Sequence, residues 1–268
     1  MNTKEIKPGL FMITGSTTGQ AGNVTVRVAP DGLIVVDTKN IGEGVYAGLM
    51  DQIKTIANGK PVKYAVVTHV HQDHAGNIQQ FVDAGVQVYA HENFKKNLET
   101  YTTAAGKVAT PNAWYAKDQT LKVGNVEARV YHFDSGHTSG DSMVYFPDLK
   151  VVAAGDAFAG NMNCDTTQGG SVLGWAKSLE ALLKLDFDMI IPGHGNDPLT
   201  KADVQTAQAR FAKIGSVAID LVKKGTPKEE LMAKIAAADA TLNASGLLQN
   251  NNPARVDAFY AEILAASK

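Results

Sequence analysis

The chain predicts an α/β protein built as a four-layer αββα sandwich, and three features of the sequence carry that expectation. Two β-rich stretches, one before residue 91 and one from residue 120, are each edged by helical periodicity; their short strands are separated by Gly-rich and Pro-Asp-Gly turns; and the last third is mostly helical. With 268 residues the chain can bury a substantial core, and we read it as one domain over 1–268 with a helical C-terminal segment from about residue 200.

Taken in order, 9–14, 23–29 and 33–37 read as strands of a meander. Val45, Leu49, Ile53 and Ile56 recur at helical spacing, and the helix should stop near Asn58-Gly59. The continuous apolar run 62–68 then implies a βαβ crossover. A helix over 75–84, a strand over 86–90 and a short helix over 92–100 lead into a polar loop that lasts to Asn112. The second half has strands at 121–123, 126–133, 142–146 and 151–154, a helix at 173–185 and a strand at 189–191. Helical patterns then occupy 201–224, 228–240 and 253–266.

Five of the seven histidines stand where a two-metal hydrolase needs them. The run Thr68-His69-Val70-His71-Gln72-Asp73-His74 is followed by His137, Asp156 and His194, each just past a strand. Strand alternation should aim His69 and His71 the same way, while Asp73 and His74 follow the turn. Asp73 is also placed to cap the helix expected from Ala75. In open α/β sheets ligands gather beyond the carboxyl ends of strands. Imidazole and carboxylate donors without thiolate suit zinc, and also iron, manganese or cobalt. Seven donors exceed one tetrahedral ion but serve two ions sharing a carboxylate and a water, roughly 3.5–4 Å apart. Such water ionises near neutral pH, so no separate general base is needed, and no Ser-His-Asp set competes for these histidines.

These residues resemble the metallo-β-lactamase superfamily, whose mark is His-x-His-x-Asp-His followed by single His, Asp and His ligands. Here the matching segments are 68–74, Gly-His-Thr-Ser-Gly-Asp at 136–141, Ala-Gly-Asp at 154–156 and Pro-Gly-His-Gly at 192–195. The resemblance implies an αββα fold and two Zn²⁺ ions. His69, His71 and His137 would hold one ion, Asp73, His74 and His194 the other, and Asp156 would lie between them.

The superfamily includes β-lactamases, glyoxalase II-like thioesterases, lactonases, phosphodiesterases and iron oxidoreductases, so departures from its subfamilies narrow the activity. Asp156 is the general hydrolase form where many β-lactamases carry Cys, and Cys164 does not align with it. No Lys or Arg lies between Asp156 and Trp175 to grip a substrate carboxylate. His71 stands where the diiron oxidoreductases have Glu, which argues against electron transfer, whereas the persulfide dioxygenase branch shares the first motif. The expected function is a zinc-dependent hydrolase in which metal-bound hydroxide, oriented by Asp73, opens a β-lactam or lactone carbonyl. A glyoxalase II-like thioesterase is the alternative, then an iron-dependent sulfur dioxygenase, then a metal-stabilised binding protein without catalysis.

Outside the motifs the readings are mostly structural. His91 and His132 are expected to be structural or solvent-facing, and Cys164 to be inert. Asp37 and Asp141 divide evenly between supporting a ligand and capping a turn. Trp175 reads as a helix anchor, with Phe158 and Met162 as alternatives for a pocket wall. Stretches 15–22 and 101–112 are the candidate loops over the site. A formal charge of -2 offers nothing to attract nucleic acid. No stretch approaches a membrane span, so the expected partner is a small molecule and the expected state is soluble: periplasmic if a leader was removed, otherwise cytoplasmic. A single cysteine excludes an intrachain disulfide.

Overall fold

The computed structural model of the chain describes residues 1–15, 21–159 and 162–268. Its contacts gather into two compact units. The first comprises Met1–His132, Gly140–Gly160 and Asp186–Lys201, and it contains both sheets.

One sheet runs in chain order through β1 (Asn2–Lys7), β2 (Leu10–Thr14), β3 (Val24–Ala29), β4 (Gly32–Val36), β5 (Val62–Val66), β6 (Gln87–His91) and β7 (Ala113–Tyr115). Strands β1 to β4 pair antiparallel as a meander, and β4 to β7 pair parallel. Helix α1 (Val45–Ala57) makes the first crossover, α2 (Gln72–Ala75) and α3 (Ile78–Asp83) the second, and α4 (Phe94–Thr100) the third. Every residue of β4 is buried, as expected of a strand covered on both faces. The second sheet has the order β13-β12-β11-β10-β9-β8, from β8 (Asp118–Val123), β9 (Val126–Tyr131), β10 (Met143–Phe146), β11 (Val151–Ala153), β12 (Met189–Ile191) and β13 (Leu199–Thr200).

The inner faces of the two sheets share one apolar core, with Leu10, Met12, Ile34 and Val36 from the first and Leu121, Val130, Val144 and Val151 from the second. A separate core lies under the crossover helices, where Leu49 and Ile53 of α1 and Phe81 of α3 meet Val26, Val35 and Val88. Each such side chain, fully buried, contributes about 1.5–3 kcal/mol. This unit therefore holds three of the four expected layers: helices, sheet, sheet.

The second unit, Phe133–Ser139, Asn161–Leu185 and Ala202–Lys268, is helical. It carries α5 (Val172–Leu183), most of α6 (Lys201–Lys223), α7 (Lys228–Ala238), α8 (Ala244–Leu247) and α9 (Pro253–Ala266). Trp175 of α5 is fully buried and stacks on Phe211 of α6 at 4.7 Å between centroids, the anchor expected of it. Asn252 caps α9 and Pro253 opens it, a favourable helix start. Glu262 of α9 accepts from the backbone N–H groups of Val172 and Leu173 at 3.3 and 3.2 Å, where a helix N-terminus favours negative charge.

Three strands, the short helix α8 and one helix break differ from the sequence reading. Strand β1 is a polar edge strand with no fully buried residue, and β7 and β13 are too short to show alternation. The helix expected over 75–84 splits at Gly76 and Asn77. A Cβ at Gly76 would press into the backbone of Asn40 and Ile41, and Asn77 turns its amide to the carbonyls of Thr38 (2.5 Å) and Asn40 (2.9 Å). Among the described residues no helix is long and apolar enough to cross a membrane.

Candidate metal centre

Parallel pairing brings strand ends to one edge. Strands β4 and β5 run together, so Asp37 and the segment Val67–His71 leave the sheet on the same side. Strands β11 and β12 do likewise for Asp156 and His194. Beyond β12 the Gly193 N–H donates to the carbonyls of Gly155 (2.8 Å) and Phe158 (3.0 Å), which zips the two loops together. Asn23, just before β3, secures them, its amide donating to the carbonyls of Pro192 and Gly195, each at 3.0 Å.

His69 and His71 do meet, with Nε2 of His69 3.1 Å from Nδ1 of His71. The cause is not strand alternation, since β5 ends at Val66. His71 instead sits in extended backbone at the N-terminus of α2, and its carbonyl accepts from the N–H groups of His74 and Ala75 at 3.0 and 2.9 Å. That single turn folds Asp73 and His74 back. Asp73 is inside the turn and makes no side-chain cap; its Oδ2 lies 3.2 Å from Nε2 of His194 and 3.5 Å from Nε2 of His74. Nε2 of His74 is also 3.2 Å from Oδ1 of Asp156 and 3.3 Å from Nε2 of His194, and Oδ2 of Asp156 is 3.3 Å from Nε2 of His194. His69, His74 and Asp156 thus form one set of converging donors, and Asp73, His74 and His194 another.

Asp37 fixes this arrangement from below. Its Oδ2 accepts from His74 Nδ1 at 2.7 Å and from Thr68 Oγ1 at 2.9 Å, and its Oδ1 accepts from the Thr68 N–H at 2.7 Å. Thr68 Oγ1 in turn stands 3.1 Å from His69 Nδ1, so it accepts the ring proton there. In the neutral form each ring therefore has its lone pair on Nε2, turned into the cluster, the orientation a metal ligand requires. The His74 carbonyl is held as well, by the N–H and the hydroxyl of Thr38 at 2.6 and 3.0 Å. Asp37 serves the site rather than a turn alone.

The charges explain why a cation suits the cluster. Burial alone would push Asp73 up, but the neighbouring His74 charge and the hydrogen bonds of His194 and His74 hold its carboxyl well below the usual range. Burial likewise opposes charge on the two rings, yet Asp156 and Asp73 outweigh it, with Asp37 adding to the effect at His74. His74 is raised well above its ordinary value and His194 rises to about 9. Positive charge is wanted where these atoms meet, and the donor set is nitrogen and oxygen only, so the residues fit a divalent ion.

Lys39 went unremarked in the sequence. It is fully buried in left-handed backbone, and its Nζ donates to the carbonyls of Ile13 (2.9 Å) and Gly22 (2.8 Å). Burial lowers its pKa to about 8, against the pull of Asp37 and Asp73. Gly22 ends the candidate loop 15–22, and a Cβ there would lie 2.6 Å from His74 Nε2, a closeness that the loop reading did not foresee. Neither residue has a spacing signal, because both act through folded-state proximity. Tyr101, at the start of the expected loop 101–112, places its ring 5.2 Å from that of His71, and its hydroxyl accepts from the Gln72 N–H at 3.1 Å. Of the other candidate loop, residues 16–20 lie outside those described.

His137 belongs to the second unit, where its Nδ1 donates to the Asn163 carbonyl at 2.6 Å. His91 and His132 stack on each other at 3.7 Å in the first unit. His91 Nε2 donates to the Ala116 carbonyl and His132 Nδ1 to that of Asp141, the structural role expected of both. Cys164 is fully buried, Phe158 is buried and Met162 half-buried.

The model of the metallo-β-lactamase superfamily matches residues 17–194. The chain belongs to that superfamily. A curated relative, the metallo-β-lactamase type 2 of Elizabethkingia meningoseptica, is 27% identical over 201 residues, covering 71% of this chain and 77% of its own. Among solved structures, a metallo-β-lactamase from Pontibacter korlensis superposes with a TM-score of 0.67 at 21% identity, over 79% of this chain and 98% of its own. The sec-alkylsulfatase Pisa1 from Pseudomonas sp. gives 0.72 at 20% identity, over 97% of this chain but 49% of its own, so this chain spans about half of that sulfatase. The αββα sandwich expected from the strand pattern is the fold of this superfamily, and the relatives named here are metallo-β-lactamases and a sulfatase, hydrolases of small molecules.

Proposed function

We propose that the chain is a single-domain, dinuclear zinc-dependent hydrolase of small carbonyl compounds, of the β-lactam or lactone type. One observation carries the reading: Nε2 of His74 lies within 3.5 Å of donor atoms from Asp73, Asp156 and His194, in a set without thiolate. In the proposal His69, His71 and His137 would hold one ion and Asp73, His74 and His194 the other, with Asp156 available to both.

Paired divalent ions supply Lewis acidity, which lowers the pKa of water from about 15.7 toward about 7 and polarises a carbonyl. The chain's residues do the rest. Asp37 locks the His74 ring, Thr68 locks that of His69, and Asp73 would orient the attacking water. Tyr101, beside His71, offers an aromatic wall to the substrate. No nucleic-acid or membrane partner enters the proposal, and the compartment follows from whether a leader is removed.

Sulfate-ester hydrolysis is the second reading, favoured by the superposition on the alkylsulfatase, which extends through the helical C-terminal segment. Nitrocefin, a homoserine lactone, a glutathione thioester and an alkyl sulfate, each assayed with zinc-loaded and chelator-treated protein, test these readings. Metal-dependent turnover of a lactam or lactone is expected. Turnover of the sulfate or thioester alone would replace the proposed substrate class, and dioxygen consumption by iron-loaded protein would replace hydrolysis.

A further inference from the structure

The C-terminal helix α9 reaches His137 through a buried guanidinium. Arg255, in the first turn of α9, is 6% exposed. Its Nη1 donates to Oδ1 of Asn163 at 3.0 Å and to the carbonyl of Cys164 at 2.6 Å, and its Nη2 is 3.2 Å from Oδ2 of Asp165. One side chain thereby holds three consecutive residues. Those residues hold His137 from two sides: the Asn163 carbonyl accepts from its Nδ1 at 2.6 Å, and the Asp165 N–H donates to its carbonyl at 2.8 Å. The Cys164 N–H closes the framework by donating to the carbonyl of Leu247, the last residue of α8, at 2.7 Å.

Two physical points make this more than packing. A carbonyl only accepts, so the Asn163 contact fixes the proton on Nδ1 and leaves Nε2 as the lone-pair donor. Burying a guanidinium is costly unless its donors are satisfied, and here they are spent on the backbone and side chains of the loop that orients His137.

We propose that Arg255 is a positioning residue for His137, so that the C-terminal helix sets the geometry of a metal ligand. The inference rests on His137 being a ligand, as stated under the proposed function. Loss of such an outer contact costs about tenfold to a hundredfold in metal affinity.

Cobalt titration of the full chain, followed by the visible absorption of the bound ion, tests this with R255M, R255K, D165N, H137A and K228A. H137A should abolish the His137-dependent band. R255M should weaken binding about tenfold to a hundredfold and alter the band, with R255K restoring part of it through its charge and single-point donors. D165N, which keeps the side-chain shape, should weaken binding to a lesser degree and guards against misfolding of R255M. K228A removes an exposed α7 to α9 ion pair and should bind as wild type. If H137A binds cobalt like wild type, the ligand assignment itself fails. If H137A loses the band while folded R255M and D165N keep it unchanged, Arg255 does not position His137.

Discussion

Nδ1 of His74 donates to Oδ2 of Asp37 across 2.7 Å, with both side chains sealed from solvent. The ring of His74 is the common member of both donor sets in the first unit, so its orientation decides how five side chains converge. Asp37→Ala would leave the buried Thr68 N–H and the His74 ring without their acceptor. Zinc affinity is expected to fall about tenfold to a hundredfold, as for other outer-shell partners of ligating histidines. Each orphaned donor should also cost about 1–3 kcal/mol in stability. Competition with a chromogenic chelator and thermal unfolding measure the two effects, and an unchanged affinity would remove Asp37 from the site.

Gly22 is needed for space. A Cβ at this position would sit 2.6 Å from His74 Nε2, the atom turned into the cluster. Gly22→Ala should displace the ring and abolish tight metal binding, at an overpacking cost of about 1–3 kcal/mol. Metal-binding isotherms on the folded variant check this; normal affinity would show that the ring is free to move away without loss.

The metal-free protein should lose stability as the pH rises. His194 has a folded pKa of about 9, because Asp156 and Asp73 overcome the opposing effect of burial, and His74 is raised for the same reason. A histidine raised above its unfolded value of about 6.5 contributes fully below that pH and ceases to contribute as the pH passes its folded pKa. The apo melting temperature is therefore expected to fall between about pH 6.5 and 9. Zinc affinity should rise over the same interval, since ligation displaces those protons. Scanning calorimetry with and without zinc reads both, and an apo melting temperature that climbs through the window would contradict the charge arrangement.

The metal motif was legible because His and Asp at fixed spacing after strands have few structural uses, and the fold followed from period-2 runs such as 126–131 and the helical spacing of Val45, Leu49 and Ile53. The supporting residues were less legible for a physical reason. Lys39 and Gly22 act through backbone carbonyls and ring faces that only the fold brings near, and Arg255 acts on residues about ninety positions away. Asp37 was half legible: its place at a strand end signalled a role, but its hold on the His74 ring emerged only from the 2.7 Å contact. The short edge strands β1, β7 and β13 escaped because a polar or very short strand carries no alternation.

The metal-to-protein ratio of the zinc-reconstituted chain, measured by plasma mass spectrometry after removal of free ion, tests the central claim most directly. The account predicts about two zinc ions per chain, falling when Asp156 is replaced by Ala and lost together with hydrolysis on chelation. A chain that retains no zinc, or that hydrolyses its substrates equally well once stripped, would contradict it.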